Sequence, residues 1–303
     1  MRVLLIVNAT ASSVTPRVRV VIQKALAADH DLTVAETSRG GHAERLARGA
    51  ANDGTDVVVA MGGDGTLNEA ANGLAGSTCA LAPLPGGSTN VFARTIGVSR
   101  DPVEATAQLL ASLHRRSYRR IGLGCVNGRR FLFHCGIGFD AAVVAQVERR
   151  NELKRYAGHP LFVASAFLTW FRYYDHSRPR FSIDLGGDTV EDCYLAIVSK
   201  TSPYTFLGPR PVVVAPEANL DSPLSLTAFR TLRFGPVMSA VASALASGGV
   251  LRRHPRIASR SGLSSLTVVG PSPFPYQVDG DHLGDAERLE FTYEPDSLTI
   301  VVP

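Results

Sequence analysis

The 303-residue chain is short of lysine, has one tryptophan and only four cysteines, and each shortage removes a class of function. Of its 31 basic residues only Lys24, Lys154 and Lys200 are lysines. None lies in a glycine-rich loop, and G-x-x-x-x-G-K-[ST] is absent, so the ordinary phosphate loop is excluded. H-R-D and D-F-G are absent, which removes the protein-kinase template. No G-x-S-x-G elbow exists, and the eight histidines form no H-E-x-x-H, so serine- and zinc-hydrolase readings lack a starting residue. Cys79, Cys125, Cys135 and Cys193 make no C-x-x-C pair and sit in apolar or strand-like surroundings. Buried free thiols in a reducing cytoplasm are expected, rather than zinc or a disulfide framework. No apolar run reaches the ~18 residues of a membrane span. MRVLLIVNAT has a five-residue apolar run without a small-residue cleavage site behind it, so a buried first strand is expected and a secretory signal is not.

What remains suits a folded chain with a buried core. Apolar residues are 45% and charged residues 19%, enough for a core. Gly 28 and Pro 18 exclude a coiled coil or long bundle. A net charge of +4 is too small to imply nucleic acid. Arginines cluster at His114–Arg120, Arg149–Arg155 and Arg252–Arg256. Each cluster alone reads as a solvated loop or helix end, and several on one face would suit an anionic membrane surface.

The first third alternates strand and helix. Val3–Val7, Leu32–Ala35, Val57–Met61 and Cys79–Leu84 read as strands. Helices are expected from Pro16, with Val18, Val21, Ile22, Ala25 and Leu26 as its apolar stripe, and over His42–Ala51, Leu67–Leu74, Asn90–Ile96 and Val103–Leu113. That order implies a parallel, Rossmann-like sheet with right-handed crossovers. From residue 117 strand-like pieces dominate, among them Tyr118–Cys125, Arg130–Gly136, Cys193–Ser199, Val212–Ala215, Leu224–Phe229 and Leu289–Tyr293. An antiparallel sandwich or open barrel is expected, with helices inserted at Ala141–Arg150, Leu161–Tyr174 and Val237–Ala246. Leu298–Val302 is a final apolar strand.

Two loops could carry chemistry. Gly62-Gly63-Asp64-Gly65-Thr66-Leu67-Asn68-Glu69 follows a buried strand and opens a helix. Its glycines let backbone N–H groups approach a phosphate, and the helix dipole favours the same anion. Asp64 would repel that phosphate unless a cation stands between them, so Mg²⁺ is implied. Pro85-Gly86-Gly87-Ser88-Thr89-Asn90 follows the next strand in the same way, with Ser88 or Thr89 able to cap and Asn90 able to meet a ligand. Asn8 and Thr37 fall at the same sheet edge, where α/β folds bind ligands. Asp279-Gly280-Asp281 reads by itself as a hairpin turn.

Taken together, the Gly62–Glu69 stretch, the Pro85–Asn90 loop and Val278-Asp279-Gly280-Asp281 resemble the diacylglycerol kinase catalytic-domain family of soluble bacterial lipid kinases, relatives of sphingosine kinases. The resemblance implies a nucleotide-binding α/β domain over residues 1–120, rejoined by a last strand at 296–303. A lipid-binding β-sandwich would cover 121–295. It implies ATP and Mg²⁺ as cofactors, with Asn8, Thr37, Gly62, Gly63, Asp64, Gly65, Thr66, Leu67, Asn68 and Ser88 at the nucleotide. It places the proton acceptor at Asp281, where the family usually has Glu, with Asp279 beside it and Asp64 as a third catalytic carboxylate. It gives Mg²⁺ to Asp64, and a structural Mg²⁺ to Asp221 with the carbonyls of Ala218 and Pro223.

The implied activity is transfer of the ATP γ-phosphate to a lipid hydroxyl, diacylglycerol first. An NAD kinase-like phosphotransferase and a non-catalytic lipid-binding relative are the alternatives. The implied partner is lipid at the membrane surface, with no nucleic acid and a homodimer left open. The implied location is cytoplasmic, peripheral at the inner membrane. Leu161–Tyr174 carries the single Trp170 on an aromatic stripe and is expected either to pack on the sandwich or to border the lipid site.

Overall fold

The computed structural model describes residues 1–9, 11, 15–149, 174, 177–246, 248–249, 251 and 254–303. The chain forms two compact units, Met1–Leu123 with Glu294–Pro303, and Gly124–Tyr293.

The first unit is built on parallel strands β1 (Arg2–Val7), β2 (Asp31–Glu36), β3 (Val57–Gly62) and β4 (Ala80–Pro85). Their order is β4-β3-β1-β2, with Val3 beside both Leu32 and Val57. The continuous apolar runs of β1, β3 and β4 are buried, as strands covered on both faces must be. β2 is the edge and is largely exposed. Helix α1 (Pro16–Ala27) starts at Thr15, whose hydroxyl accepts the Val18 N–H, with Pro16 pre-set in the first turn. Its buried stripe is Ile22 and Leu26, whereas Val21 faces solvent. The three adjacent residues Val20, Val21 and Ile22 cannot all fit one helical face, and the 3.6-residue period selects Ile22 and Leu26, the pair four apart. Helices α2 (His42–Asn52), α3 (Asp64–Leu74), α4 (Val91–Thr95) and α5 (Pro102–Arg115) follow. Asp101 caps α5 by accepting the N–H groups of Val103 and Glu104, both at 2.9 Å.

β5 (Tyr118–Val126) leads into the second unit, and β16 (Asp281–Val301) leads back, pairing Thr299 in parallel with Ala80. In the second unit β6 (Arg129–Phe131) pairs with β5, and β7 (His134–Gly138) precedes helix α6 (Phe139–Glu148). The expected single strand Arg130–Gly136 is thus two. β8 (Phe181–Asp184), β9 (Thr189–Cys193) and β10 (Leu195–Ser199) follow, then the small hairpin β11 (Thr205–Leu207) and β12 (Arg210–Val212). β13 (Leu224–Phe229), α7 (Phe234–Ala246), β14 (Ile257–Leu263) and β15 (Ser265–Val278) complete it. Neighbours run antiparallel in the order β14-β13-β10-β7-β15-β16. One apolar cluster in this unit includes Phe131, Ile137, Phe181, Leu226, Phe274 and Phe291, and a second, with Ile197, Phe229 and Ile257, lies against α7. All four cysteines are buried free thiols. Apart from Tyr174, the expected helix Leu161–Tyr174, with Trp170, lies outside the described residues. Among the described residues no helix is long and apolar enough to cross a membrane.

Candidate functional site

Strand order places Asn8, Thr37, Gly62 and the Pro85–Asn90 loop at the carboxyl ends of β1, β2, β3 and β4. Chain direction across the sheet reverses at β1 and β3, the switch point where such sheets open a crevice. Asn8 Nδ2 bridges those two strand ends by donating to Thr66 Oγ1 at 3.0 Å.

The two glycine-rich loops touch backbone to backbone. A Cβ on Gly87 would lie 2.7 Å from the Cα of Gly63, and the Gly86 N–H donates to the Gly62 carbonyl at 2.8 Å. A Cβ on Gly62 would meet the Thr66 side chain at 2.7 Å. Glycine is therefore required at these points by contact, independent of any ligand. Gly63 is the N-cap of α3 and has no side chain to satisfy the first-turn N–H groups, which suits an anion there.

The acidic residues of the first loop cap neighbouring helices. Asp64 accepts the N–H groups of Val91 at 3.0 Å and Phe92 at 3.3 Å, at the start of α4. Glu69 accepts those of Gly41 at 2.7 Å and Ala43 at 3.0 Å, at the start of α2. Asn90, at φ 49°, closes its own loop by exchanging hydrogen bonds with the Gly87 backbone at 2.8 and 2.9 Å. The sequence offered Asn90 as a ligand contact; its amide is committed to holding the loop. Ser88 is exposed at the loop tip, Thr37 is half-buried, and Gly63, Asp64 and Gly65 are partly open. Leu67 and Asn68 are buried on the inner face of α3, so they support the loop rather than line its mouth.

The glycine-lined edge fits a nucleotide phosphate. It fits Mg²⁺ only as an ion held chiefly by phosphate and water, because Asp64 is a single carboxylate whose two oxygens already accept backbone N–H groups. No group of three or more metal-ligating side chains occurs among the described residues.

In the second unit, Asp279 and Gly280 are the two central residues of the β15–β16 hairpin, at φ 49° and 88°, with Val278 opposite Asp281. This is the turn that Asp-Gly favours, so the two aspartates do not share a strand face. Asp279 is 2% exposed and accepts three backbone N–H groups, from Leu132, Phe133 and His134, at 2.7 to 3.1 Å. It fixes the turn between β6 and β7. Asp281 is half-buried at the hairpin's exit.

Sequence reasoning missed Asp140, the lone charge in the apolar start of α6. It is buried, accepts the Tyr204 hydroxyl at 2.5 Å and the Gln277 amide at 2.8 Å, and Gln277 in turn accepts the Gly280 N–H at 2.8 Å. Burial raises the Asp140 carboxyl above the usual range, with the two hydrogen bonds opposing. This chain of bonds ties the hairpin tip to α6. A cavity of about 360 Å³ within this unit is lined by Gln146, Arg149, Arg180, His282 and Asp285 among others.

The segment expected to hold a structural Mg²⁺ already carries a cation. Lys200 is 1% exposed, and its ammonium donates to the carbonyls of Asn219 and Leu220, each at 3.0 Å. It also lies 5.5 Å from the Tyr293 ring centroid. A divalent ion between Ala218, Asp221 and Pro223 would share this turn with that charge, so the residues present do not fit it.

Residues 2–119 match the family model described as the diacylglycerol kinase catalytic domain. Over 167 residues the chain is 35% identical to "Probable lipid kinase YegS-like" of Pseudomonas aeruginosa strain UCBPP-PA14, covering 54% of this chain and 53% of that protein. It is 36% identical over 120 residues to the diacylglycerol kinase of Bacillus subtilis strain 168, covering 39% of each. The alignments therefore span about half the length of the first curated relatives, or less. The crystal structure of a diacylglycerol kinase from Bacillus anthracis strain Sterne superposes with a TM-score of 0.70 at 20% identity, over 100% of this chain and 97% of that one. An NAD kinase from Archaeoglobus fulgidus in complex with ATP gives 0.55 at 13% identity, over 99% and 93%. At these identities the structures establish a shared fold and leave the phosphate acceptor open.

Proposed function

We propose, because residues 2–119 match the family model described as the diacylglycerol kinase catalytic domain, that the protein is an ATP-dependent lipid kinase whose first acceptor is diacylglycerol. The observation that carries this reading is the contact of two glycine loops at the sheet's switch point, locked by Asp64. Such an edge offers convergent backbone N–H groups to the β- and γ-phosphates without needing a lysine. Phosphoryl transfer to an alcohol then requires charge neutralisation and a base. Mg²⁺, when bound with the nucleotide, neutralises the phosphate charge, and Asp64 would meet it through water. Asp281 is assigned the base, because Asp279 is saturated by backbone donors whereas Asp281 is half-buried. The cavity beside His282 is of the size that admits part of a small lipid, and Arg149 and Arg180 give it positive charge.

Transfer from labelled ATP tests the proposal, run in parallel with micellar diacylglycerol, sphingosine, NAD and no acceptor. Label in an organic-phase phosphatidic acid is the expected result. Label in the dinucleotide would make the chain an NAD kinase. No label in any acceptor would leave a non-catalytic lipid-binding relative.

A further inference from the structure

Helix α7 is built inside out. Its small residues Ala240, Ser243 and Ala244 are buried, and Ala240 and Ala244 pack with Ile197, Phe229 and Ile257. Its large apolar residues face outward: Phe234 is 62% exposed, Met238 37%, Val241 45% and Leu245 42%. Spacings of four, three and four put these side chains on one stripe. A soluble surface scatters such residues singly, whereas a continuous stripe marks a face that leaves water. The helix itself carries no charge.

The stretch of sequence on either side of it carries one sign. Between Asp221 and Asp279 the sequence has no Asp or Glu, yet it contains Arg230, Arg233, Arg252, Arg253, Arg256 and Arg260. Arg233 is exposed and its carbonyl accepts the Val237 N–H at the helix start. Arg230 and Arg256 are exposed and joined through their backbones. Beside the helix end, Val213 donates to the Ala244 carbonyl, and the β11–β12 hairpin before it exposes Leu207 and Arg210. Arg260 is paired with Asp188, and Arg230 also donates to the Glu191 carbonyl.

We propose that the outward face of α7 docks on an anionic lipid bilayer, with Phe234, Met238, Val241 and Leu245 in the interface and the flanking arginines on lipid headgroups. The helix is ~20 Å long, suited to lie in the interfacial plane and too short to cross. The charge pattern selects this occupant: a second copy would bring the same arginines against themselves, whereas an acidic headgroup layer complements them. The inference supplies the membrane contact that a lipid kinase needs and rests on that reading for its biological sense only.

The test is vesicle co-sedimentation of the full chain, without ATP, on phosphatidylcholine with and without phosphatidylglycerol. Wild type is expected to pellet with the anionic vesicles, less so as salt rises. Met238→Glu with Leu245→Glu, both at exposed positions, should weaken binding ~10-fold or more and leave transfer to detergent-dispersed diacylglycerol unchanged. Arg233→Glu should weaken binding to the anionic vesicles alone. Wild type that stays in solution, or a double variant that binds as wild type does, overturns the inference. A lipid-free dimer that the double variant converts to monomer also overturns it, by assigning the face to a second copy. Binding without transfer to any lipid keeps the docking face and removes the kinase; transfer without binding does the reverse.

Discussion

The Asp64 carboxylate accepts the Val91 N–H at 3.0 Å, so the first glycine loop holds the start of the helix that follows the second. One side chain therefore ties together the two loops from which the proposed phosphate site is built. Asp64→Asn puts an amide N–H against the α4 donors and should cost ~1 kcal/mol of stability, as loss of a helix cap does. If Asp64 also meets Mg²⁺, turnover should fall far more than stability. A melting curve with kcat at saturating ATP separates the two. Full activity in this variant would remove Asp64 from the chemistry.

Two glycine-to-alanine changes should have opposite signs. Gly87 would drive its Cβ to 2.7 Å from the Gly63 backbone, so Gly87→Ala must part the loops. Its expected effect is a loss of ~2 kcal/mol and weaker ATP binding. Gly49 lies inside α2, where an added Cβ would meet no atom within 4 Å and the backbone is outside the left-handed region. Gly49→Ala should stabilise by ~0.5–1 kcal/mol through helix propensity, with ATP binding unchanged. Urea titration and nucleotide titration of both variants check this.

Asp279 and Asp281 should separate by readout. Asp279→Asn leaves a backbone N–H of the 132–134 turn facing another donor, so it should lose ~2–3 kcal/mol of stability and activity with it. Asp281→Asn should lower kcat by ~10²–10⁴, far more than any shift in its melting temperature explains. A stable, fully active Asp281→Asn would place the base elsewhere.

Much of this was legible in advance, for a physical reason. β1, β3 and β4 are continuous apolar runs, and a doubly buried strand has no other signature. Glycines at the ends of β3 and β4 announced the loops. β14, Ile257–Leu263, was not legible: Ile-Ala-Ser-Arg-Ser-Gly-Leu has little alternation, and the strand exists through its pairing with β13. The capping roles of Asp64 and Glu69 depend on partners more than twenty residues away, which spacing does not reveal. Asp140 had a weak signal, one acid in Gly-Ile-Gly-Phe-Asp-Ala-Ala-Val-Val, where a charge bound for the interior needs partners.

His134 should make stability depend on pH. It is buried, and desolvation lowers its pKa to about 3. Unfolded, it titrates near 6.5. Between those values the unfolded chain holds the extra proton, so the stabilisation is fully present above pH ~6.5 and is lost as pH falls toward 3, with a slope approaching ~1.4 kcal/mol per unit. Asp140 acts in the opposite sense: its raised pKa makes stability fall as pH rises above the usual carboxylate range. Replacing His134 with Leu should flatten the acid limb while leaving that due to Asp140. Urea midpoints across pH for both proteins measure the difference, and identical acid limbs would exclude His134.

Lys200 should make the 218–223 turn independent of metal. Its ammonium holds the Asn219 and Leu220 carbonyls from a nearly dry position, supplying from the chain itself the positive charge that a bound ion would supply. Chelation by EDTA should therefore leave the melting temperature unchanged, and metal analysis of the purified chain should find no stoichiometric Mg²⁺. Lys200→Met keeps the stem but removes the donors, leaving two carbonyls without their charge-assisted bonds, so it should lose ~3 kcal/mol or more. Lys200→Ala opens space as well. If the turn is organised by charge rather than by this side chain's shape, millimolar Mg²⁺ should raise the melting temperature of Lys200→Ala and not that of Lys200→Met, whose thioether still fills the position. Destabilisation of the wild type by EDTA would show instead that a divalent ion and Lys200 occupy the turn together.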